Sequence, residues 1–137
     1  MLFRSNPIMA QTPERKVKTQ VGEILKEYGV YYFFPPANGL GRAGIPDIIA
    51  CAWGQFLAIE CKAGKGTPTA LQLRELQRIH NANGVAFVIN ENNVDALHIL
   101  LASLYEFAIQ TSMTQEKLNV QHTRTTGPRN RRAHRKD

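Results

Sequence analysis

Two acidic residues, Asp47 and Glu60, and the basic residue Lys62 are spaced so that their charged groups could form one reactive site. Trp53 and Gly54 have the length of a two-residue hairpin turn between two apolar strands, and such a turn places Asp47 opposite Glu60. Opposed side chains on one face of a sheet lie about 4.5 to 5.5 Å apart, so the two carboxylates would repel each other. The period-two alternation of a strand puts Lys62 on the same face. The sequence therefore predicts two carboxylates and an ammonium group in one place.

A pair of close carboxylates suits a hard divalent cation such as Mg²⁺, which takes a few oxygen ligands from a protein. The cation would cancel the repulsion, activate a water and polarise a phosphoryl oxygen, while Lys62 could orient the water and the scissile phosphate. An ordinary ion triad is the alternative, but burying three charges among apolar neighbours without a function would be costly. We therefore predict metal-dependent phosphodiester hydrolysis, with Asp47, Glu60 and Lys62 as catalytic residues.

Two more polar residues fall on helix faces that the pattern predicts to be buried. At about 100° per residue, Glu14 lies in the same arc as Val17 and Val21 of the first helix. It could face the site, or it could only interact favourably with the helix dipole. Gln72 shares a face of the second helix with apolar residues, and a buried amide needs hydrogen-bond partners. Lys62, a water or a phosphate could supply them, although a purely structural glutamine is an equal alternative.

Periodicity and turn residues predict an αβββαβα order of elements. Thr12-Pro13 and Thr67-Pro68 are both typical of helix starts. The predicted helices run from Thr12 to Tyr28, from Thr67 to the residue before Gly84, and from about Val94 to Ala108. The predicted strands cover residues 30–34, 47–52, 55–63 and 85–89. This order indicates an α/β fold in which a mixed central sheet is flanked by helices, and the helices cover both faces of the sheet.

The composition excludes several classes of protein. The chain has 137 residues, 43% of them hydrophobic, and no apolar run near the roughly 20 residues that span a bilayer. Without a secretory leader it is expected to be soluble and cytoplasmic. Cys51 and Cys61 are expected to be free, buried thiols, and the four histidines have no spacing typical of a zinc site.

The positive charge of the chain is concentrated near its end. The first 110 residues contain ten basic and nine acidic side chains, so +5 of the formal charge of +6 belongs to residues 111–137. We expect a flexible leader over residues 1–11, one domain over residues 12–110, and a basic, flexible tail over residues 111–137. The tail is a candidate for salt-sensitive DNA binding.

The motif Pro46-Asp47 followed by Glu60-Cys61-Lys62 resembles that of the PD-(D/E)XK nuclease superfamily, whose core has the restriction-endonuclease-like order αβββαβ. Within it, residues 44–47, 56–62 and 68–72 look like the VRR-Nuc branch. This resemblance implies Asp47, Glu60 and the Cys61 main-chain carbonyl as Mg²⁺ or Mn²⁺ ligands, and Glu14 is a further candidate ligand. It also implies Lys62 in catalysis, with Glu14 and Gln72 in support.

The resemblance further implies a partner and an assembly. Small stand-alone members of this branch resemble Holliday junction resolvases that act as dimers, so a homodimer acting on branched DNA, of phage or mobile-element origin, is expected. Two alternatives stay open: a general, nicking or restriction-like endonuclease, and an inactive DNA-binding protein on a nuclease fold. The intact set of Asp47, Glu60 and Lys62 disfavours the inactive form.

Overall fold

A computed structural model of the protein describes residues 10–36 and 41–125, with side chains up to residue 122. These residues form the elements α1 (Pro13–Glu27), β1 (Tyr31–Phe33), β2 (Ile48–Ala52), β3 (Gln55–Cys61), α2 (Ala70–Asn81), β4 (Val85–Ile89) and α3 (Asp95–Thr125). The predicted αβββαβα order is therefore confirmed. The predicted leader falls on residues 1–9, outside the described ranges, and on the exposed residues 10 and 11.

The four strands form one mixed sheet in the order β1-β2-β3-β4. β2 is antiparallel to both β1 and β3, whereas β3 and β4 are parallel. Ile48 pairs with Ile59 and Ala52 pairs with Gln55, which confirms the predicted hairpin register. Trp53 and Gly54 both have positive φ, at 49° and 87°, as a two-residue turn of this twist requires.

The two faces of the sheet are covered unequally. On one face, side chains of β2 and β3 such as Ile48, Leu57 and Ile59 are fully buried against α1 and α3. The other face carries α2, which packs on β3 and β4. The predicted cover of this second face is only partial, because α2 packs mainly on β3 and β4. Phe56 is 44% exposed there, and Cys51 is exposed instead of buried as predicted.

The first two helices begin at caps supplied by threonine. The Thr12 hydroxyl accepts a hydrogen bond from the Arg15 amide, and α1 starts at Pro13 as predicted. The prediction of a start at Thr67-Pro68 for α2 is wrong by two residues, since Thr69 is the cap. Thr69 and Gln72 exchange side-chain to backbone hydrogen bonds in a capping box, which stabilises the later start.

The third helix is longer than predicted. It continues past Ala108 to Thr125, so the expectation of a flexible segment is wrong for residues 111–125. The chain contains no glycine or proline between residues 95 and 125, and Thr111, Ser112 and Thr114 bond back to carbonyl groups four residues earlier. Residues 126–137 of the predicted tail lie outside the described ranges. No helix within the described ranges has the length and apolarity needed to cross a membrane.

Candidate active site

The sheet brings the predicted carboxylates and lysine together at the end of β3. Asp47 directly precedes β2, Glu60 is the penultimate residue of β3, and Lys62 follows that strand. Lys62 Nζ lies 3.2 Å from Glu60 Oε1. Asp47 Oδ2 accepts a hydrogen bond of 2.9 Å from the main-chain N–H of Cys61. The hairpin register therefore places all three side chains at one site, as the sequence predicts.

The first turn of α1 contributes a third carboxylate. Oxygen atoms of Glu14, Asp47 and Glu60 all lie within 4.8 Å of one another, and Glu14 Oε1 is 3.8 Å from Lys62 Nζ. We call these three residues the acidic cluster. The prediction that Glu14 is buried is wrong, since its side chain is 49% exposed. From the first turn of α1, its carboxylate lies close to Asp47 and Glu60 while half of its side chain stays exposed to solvent.

Gln72 connects α2 to the acidic cluster. Its Oε1 accepts a hydrogen bond of 2.8 Å from the Thr69 amide within the capping box, and its Nε2 donates one of 2.7 Å to Glu60 Oε1. Of the predicted partners, Lys62 is not the one found, because the side-chain amide of Gln72 contacts Glu60 instead. Gln72 thus has a structural role at the helix start and a contact with a site carboxylate.

Lys18 belongs to the site although the sequence analysis missed it. Its Nζ lies 3.7 Å from Asp47 Oδ1 and 5.1 Å from the centroid of the Phe34 ring. Four residues after Glu14, it falls at about 40° on the helical wheel, beside the apolar arc of α1. That position is the signal that could have identified it.

Burial and like charge change the proton affinities of the site. Desolvation, followed by the charge of Asp47, raises the pKa of Glu60 from 4.5 to about 7, even though the hydrogen bond and charge of Lys62 lower it. Desolvation also lowers the pKa of Lys62, but the hydrogen bond and charge of Glu60 and the charges of Glu14 and Asp47 outweigh it and raise that pKa. Lys62 is therefore a cation at neutral pH.

The donor atoms of the acidic cluster fit a hard divalent cation. Three carboxylates offer only oxygen ligands, which is the set that Mg²⁺ and Mn²⁺ prefer. Cys61 is not a sulfur ligand here, because its side chain is fully buried and desolvation raises the pKa of its thiol to about 12. Only its main-chain carbonyl could contribute, and that role stays a prediction.

Comparisons with known proteins point to nucleases. Residues 12–91 match the family model described as archaeal Holliday junction resolvase (Hjc). "Putative nuclease p44" of Acyrthosiphon pisum secondary endosymbiont phage 1 is 32% identical over 81 residues, which cover 58% of this chain and 84% of that protein.

Two solved structures have a similar fold. One, described as a VRR_NUC domain, is 25% identical, has a TM-score of 0.55, and is matched over 64% of this chain and 95% of its own. Another, described as a VRR_NUC domain protein, is 23% identical with a TM-score of 0.53, over 69% of this chain and 92% of its own. Both matches agree with the predicted fold class.

Proposed function

Because this chain belongs to the archaeal Holliday junction resolvase (Hjc) family, we propose that it is a metal-dependent endonuclease that cuts branched DNA. Membership of this family makes the chain a nuclease, and the resemblance found in the sequence is confirmed. Dependence on a metal, preference for branched DNA and action as a homodimer are the parts that we propose.

The acidic cluster is the observation that carries this proposal. Glu14, Asp47 and Glu60 would hold Mg²⁺ or Mn²⁺, with the Cys61 carbonyl as a further ligand. When bound, the cation supplies positive charge that polarises the phosphate and activates water for attack. It also offsets the repulsion among three carboxylates whose oxygens lie within 4.8 Å of one another.

The other residues of the site orient the carboxylates and the DNA. The Cys61 amide fixes Oδ2 of Asp47, while Oδ1 lies near the ammonium group of Lys18. Gln72 fixes one oxygen of Glu60 in the same way. We assign Lys62 the role of a cation beside the scissile phosphate. Its ammonium group donates hydrogen bonds to a phosphate oxygen and stabilises the charge that develops there.

The substrate and assembly follow from family membership and chain size. A site of this kind cuts one DNA strand, so a homodimer would supply one cut for each of two strands at a junction. A Holliday junction is the branched DNA that the matched family is named for, and we propose it as the preferred substrate.

Cleavage of a labelled four-way junction and of a linear duplex with the same sequence tests the proposal. We expect cutting of the junction in preference to the duplex with Mg²⁺, no cutting with EDTA, and a cleavage rate reduced about a hundredfold or more with Lys62→Ala. Lys26→Ala is the matched control, because this exposed lysine lies at the opposite end of α1 from Glu14. Equal cutting of both substrates would indicate a general endonuclease. Junction binding without any cleavage would indicate an inactive DNA-binding protein.

A further inference from the structure

A second group of charged residues lies outside the acidic cluster, where the loop before β2 meets α2. The Glu75 side chain is only 6% exposed, and its two carboxylate oxygens contact two different arginines. Arg42 Nη2 lies 3.2 Å from Oε2, and Arg78 Nη1 donates a hydrogen bond of 3.0 Å to Oε1. A buried carboxylate needs such partners, because desolvation penalises its charge. We call these three residues the Glu75 triad.

Both arginines of the Glu75 triad can bind a further anion. Each guanidinium has five N–H donors, and the contacts with Glu75 engage one nitrogen of each. The side chains of Arg42 and Arg78 are 60% and 54% exposed, so most of these donors face solvent. The triad has a formal charge of +1, and planar guanidinium groups match the geometry of phosphate oxygens.

The Glu75 triad lies beside the acidic cluster because the loop before β2 is packed tightly on α2. Gly44 has a φ of 81°, and a Cβ there would lie 2.5 Å from the Leu71 carbonyl oxygen. Glu75 follows Gln72 by three residues and so shares its helix face, while Gln72 donates a hydrogen bond to Glu60. Gln72, which contacts the cluster, and Glu75, which belongs to the triad, are therefore about one helical turn apart along α2.

We propose, building on the nuclease function proposed above, that Arg42 and Arg78 bind a backbone phosphate of the DNA next to the scissile phosphate. Before a cation binds, the acidic cluster repels a phosphate, so a positively charged site beside it favours DNA binding. The three carboxylates of the cluster outnumber the two nearby ammonium groups of Lys18 and Lys62 when all are ionised. Glu75 is a positioning residue, since it holds the two arginines in place before DNA arrives and so lowers the entropic cost of binding.

Equilibrium binding of a four-way junction in EDTA, over a series of NaCl concentrations, tests this site without cleavage. We expect Arg42→Ala and Arg78→Ala each to weaken binding roughly tenfold at moderate salt. Each should also reduce the slope of log K against log[NaCl] by about one. Lys26→Ala is the matched control, because Lys26 is exposed in the last turn of α1 and belongs to neither the acidic cluster nor the Glu75 triad. Its salt slope should equal that of the wild type.

Thermal melting and a conservative variant separate phosphate binding from simple anchoring of the loop. Arg42→Lys retains the charge without the planar fork, so we expect the wild-type salt slope with only part of the affinity restored. A purely structural role would instead give affinity losses that follow the melting temperature, with unchanged salt slopes.

Unchanged salt slopes in a protein that still cleaves junctions with Mg²⁺ would overturn this inference and leave the proposed function intact. A wild-type protein that never cleaves DNA would overturn the proposed function, while the slopes would still decide on this phosphate site.

Discussion

Asp47 shows how one side chain can serve both the fold and the chemistry. One carboxylate oxygen accepts a hydrogen bond from the Cys61 amide, which ties the start of β2 to the end of β3. The other oxygen, Oδ1, lies 3.7 Å from Lys18 Nζ, and the carboxylate as a whole belongs to the acidic cluster. The backbone of β3 thus orients a carboxylate before any cation binds, and such preorganisation is what an active site requires.

We expect Lys18 to contribute to catalysis, although it is not part of the Asp47, Glu60 and Lys62 motif. Replacing Lys18 with alanine removes a positive charge 3.7 Å from Asp47. We expect the single-turnover rate of junction cleavage to fall about tenfold, against a hundredfold or more for Lys62→Ala. Lys16→Ala, on the exposed side of α1, is the control. A rate for Lys18→Ala equal to that of the control would show that Lys18 only balances charge.

Glu60 makes the stability of the metal-free protein depend on pH. The folded protein keeps this carboxyl protonated up to about pH 7, whereas the unfolded chain releases the proton near its ordinary pKa of 4.5. The folded state therefore binds more protons between these values, and the free energy of unfolding decreases as pH rises from 4.5 to 7. Urea denaturation in EDTA across this interval should show a smaller decrease for Glu60→Gln. Parallel pH profiles for the two proteins would contradict this assignment.

The sequence identifies some site residues better than others for a physical reason. Asp47, Glu60 and Lys62 are predictable because strand alternation and a two-residue turn fix the face on which each side chain lies. Glu14 is correctly predicted to lie near Asp47 and Glu60, but its predicted burial is wrong. A helical wheel shows the direction in which a side chain points, and it does not show whether the sheet extends far enough to cover that side chain. Lys18 is missed because its contact with Phe34 depends on the packing of β1 against α1.

At the scale of elements, local signals determine where the helices begin better than where they end. Thr67 and Thr69 can both cap α2, and the choice of Thr69 follows from Gln72, which lies three residues later and completes a capping box. The end of α3 has no such signal in its apolar pattern. All described side chains from residue 110 to residue 122 are exposed, so they pack on no core that would impose a periodicity.

The close packing of the loop before β2 on α2 gives a prediction for Gly44. An alanine there combines a positive φ with a Cβ 2.5 Å from the Leu71 carbonyl oxygen. We expect Gly44→Ala to reduce the free energy of unfolding by about 2 kcal/mol or more, as a left-handed conformation and a steric clash add together.

Gly29→Ala is the matched control for this substitution. Gly29 also has a positive φ, of 70°, but a Cβ there would meet no atom within 4 Å. We expect it to cost about 1 kcal/mol from conformation alone. Urea denaturation of both variants measures the difference. Equal losses of stability would show that the loop moves away from α2 without cost.

At the scale of the whole molecule, we expect the uneven charge of the chain to determine how salt affects DNA binding. Residues 126–137 contain five basic side chains and one acidic side chain, so they hold +4 of the formal charge of +6. Deleting them leaves α3 complete to Thr125. We expect this deletion to weaken junction binding and to reduce the slope of log K against log[NaCl], because fewer counterions are released from the DNA.

A variant that keeps all of residues 126–137 but removes their positive charge separates the effect of charge on DNA binding from the effect of chain length. Glutamine in place of Arg129, Arg131, Arg132, Arg135 and Lys136 removes the charge and leaves twelve residues after Thr125. If charge is responsible, this variant and the deletion should show the same reduced slope, and their cleavage rates at saturating DNA should match the wild type, since the acidic cluster is unchanged. Wild-type binding by both variants across the salt series would instead assign DNA affinity to the domain itself, including the Glu75 triad.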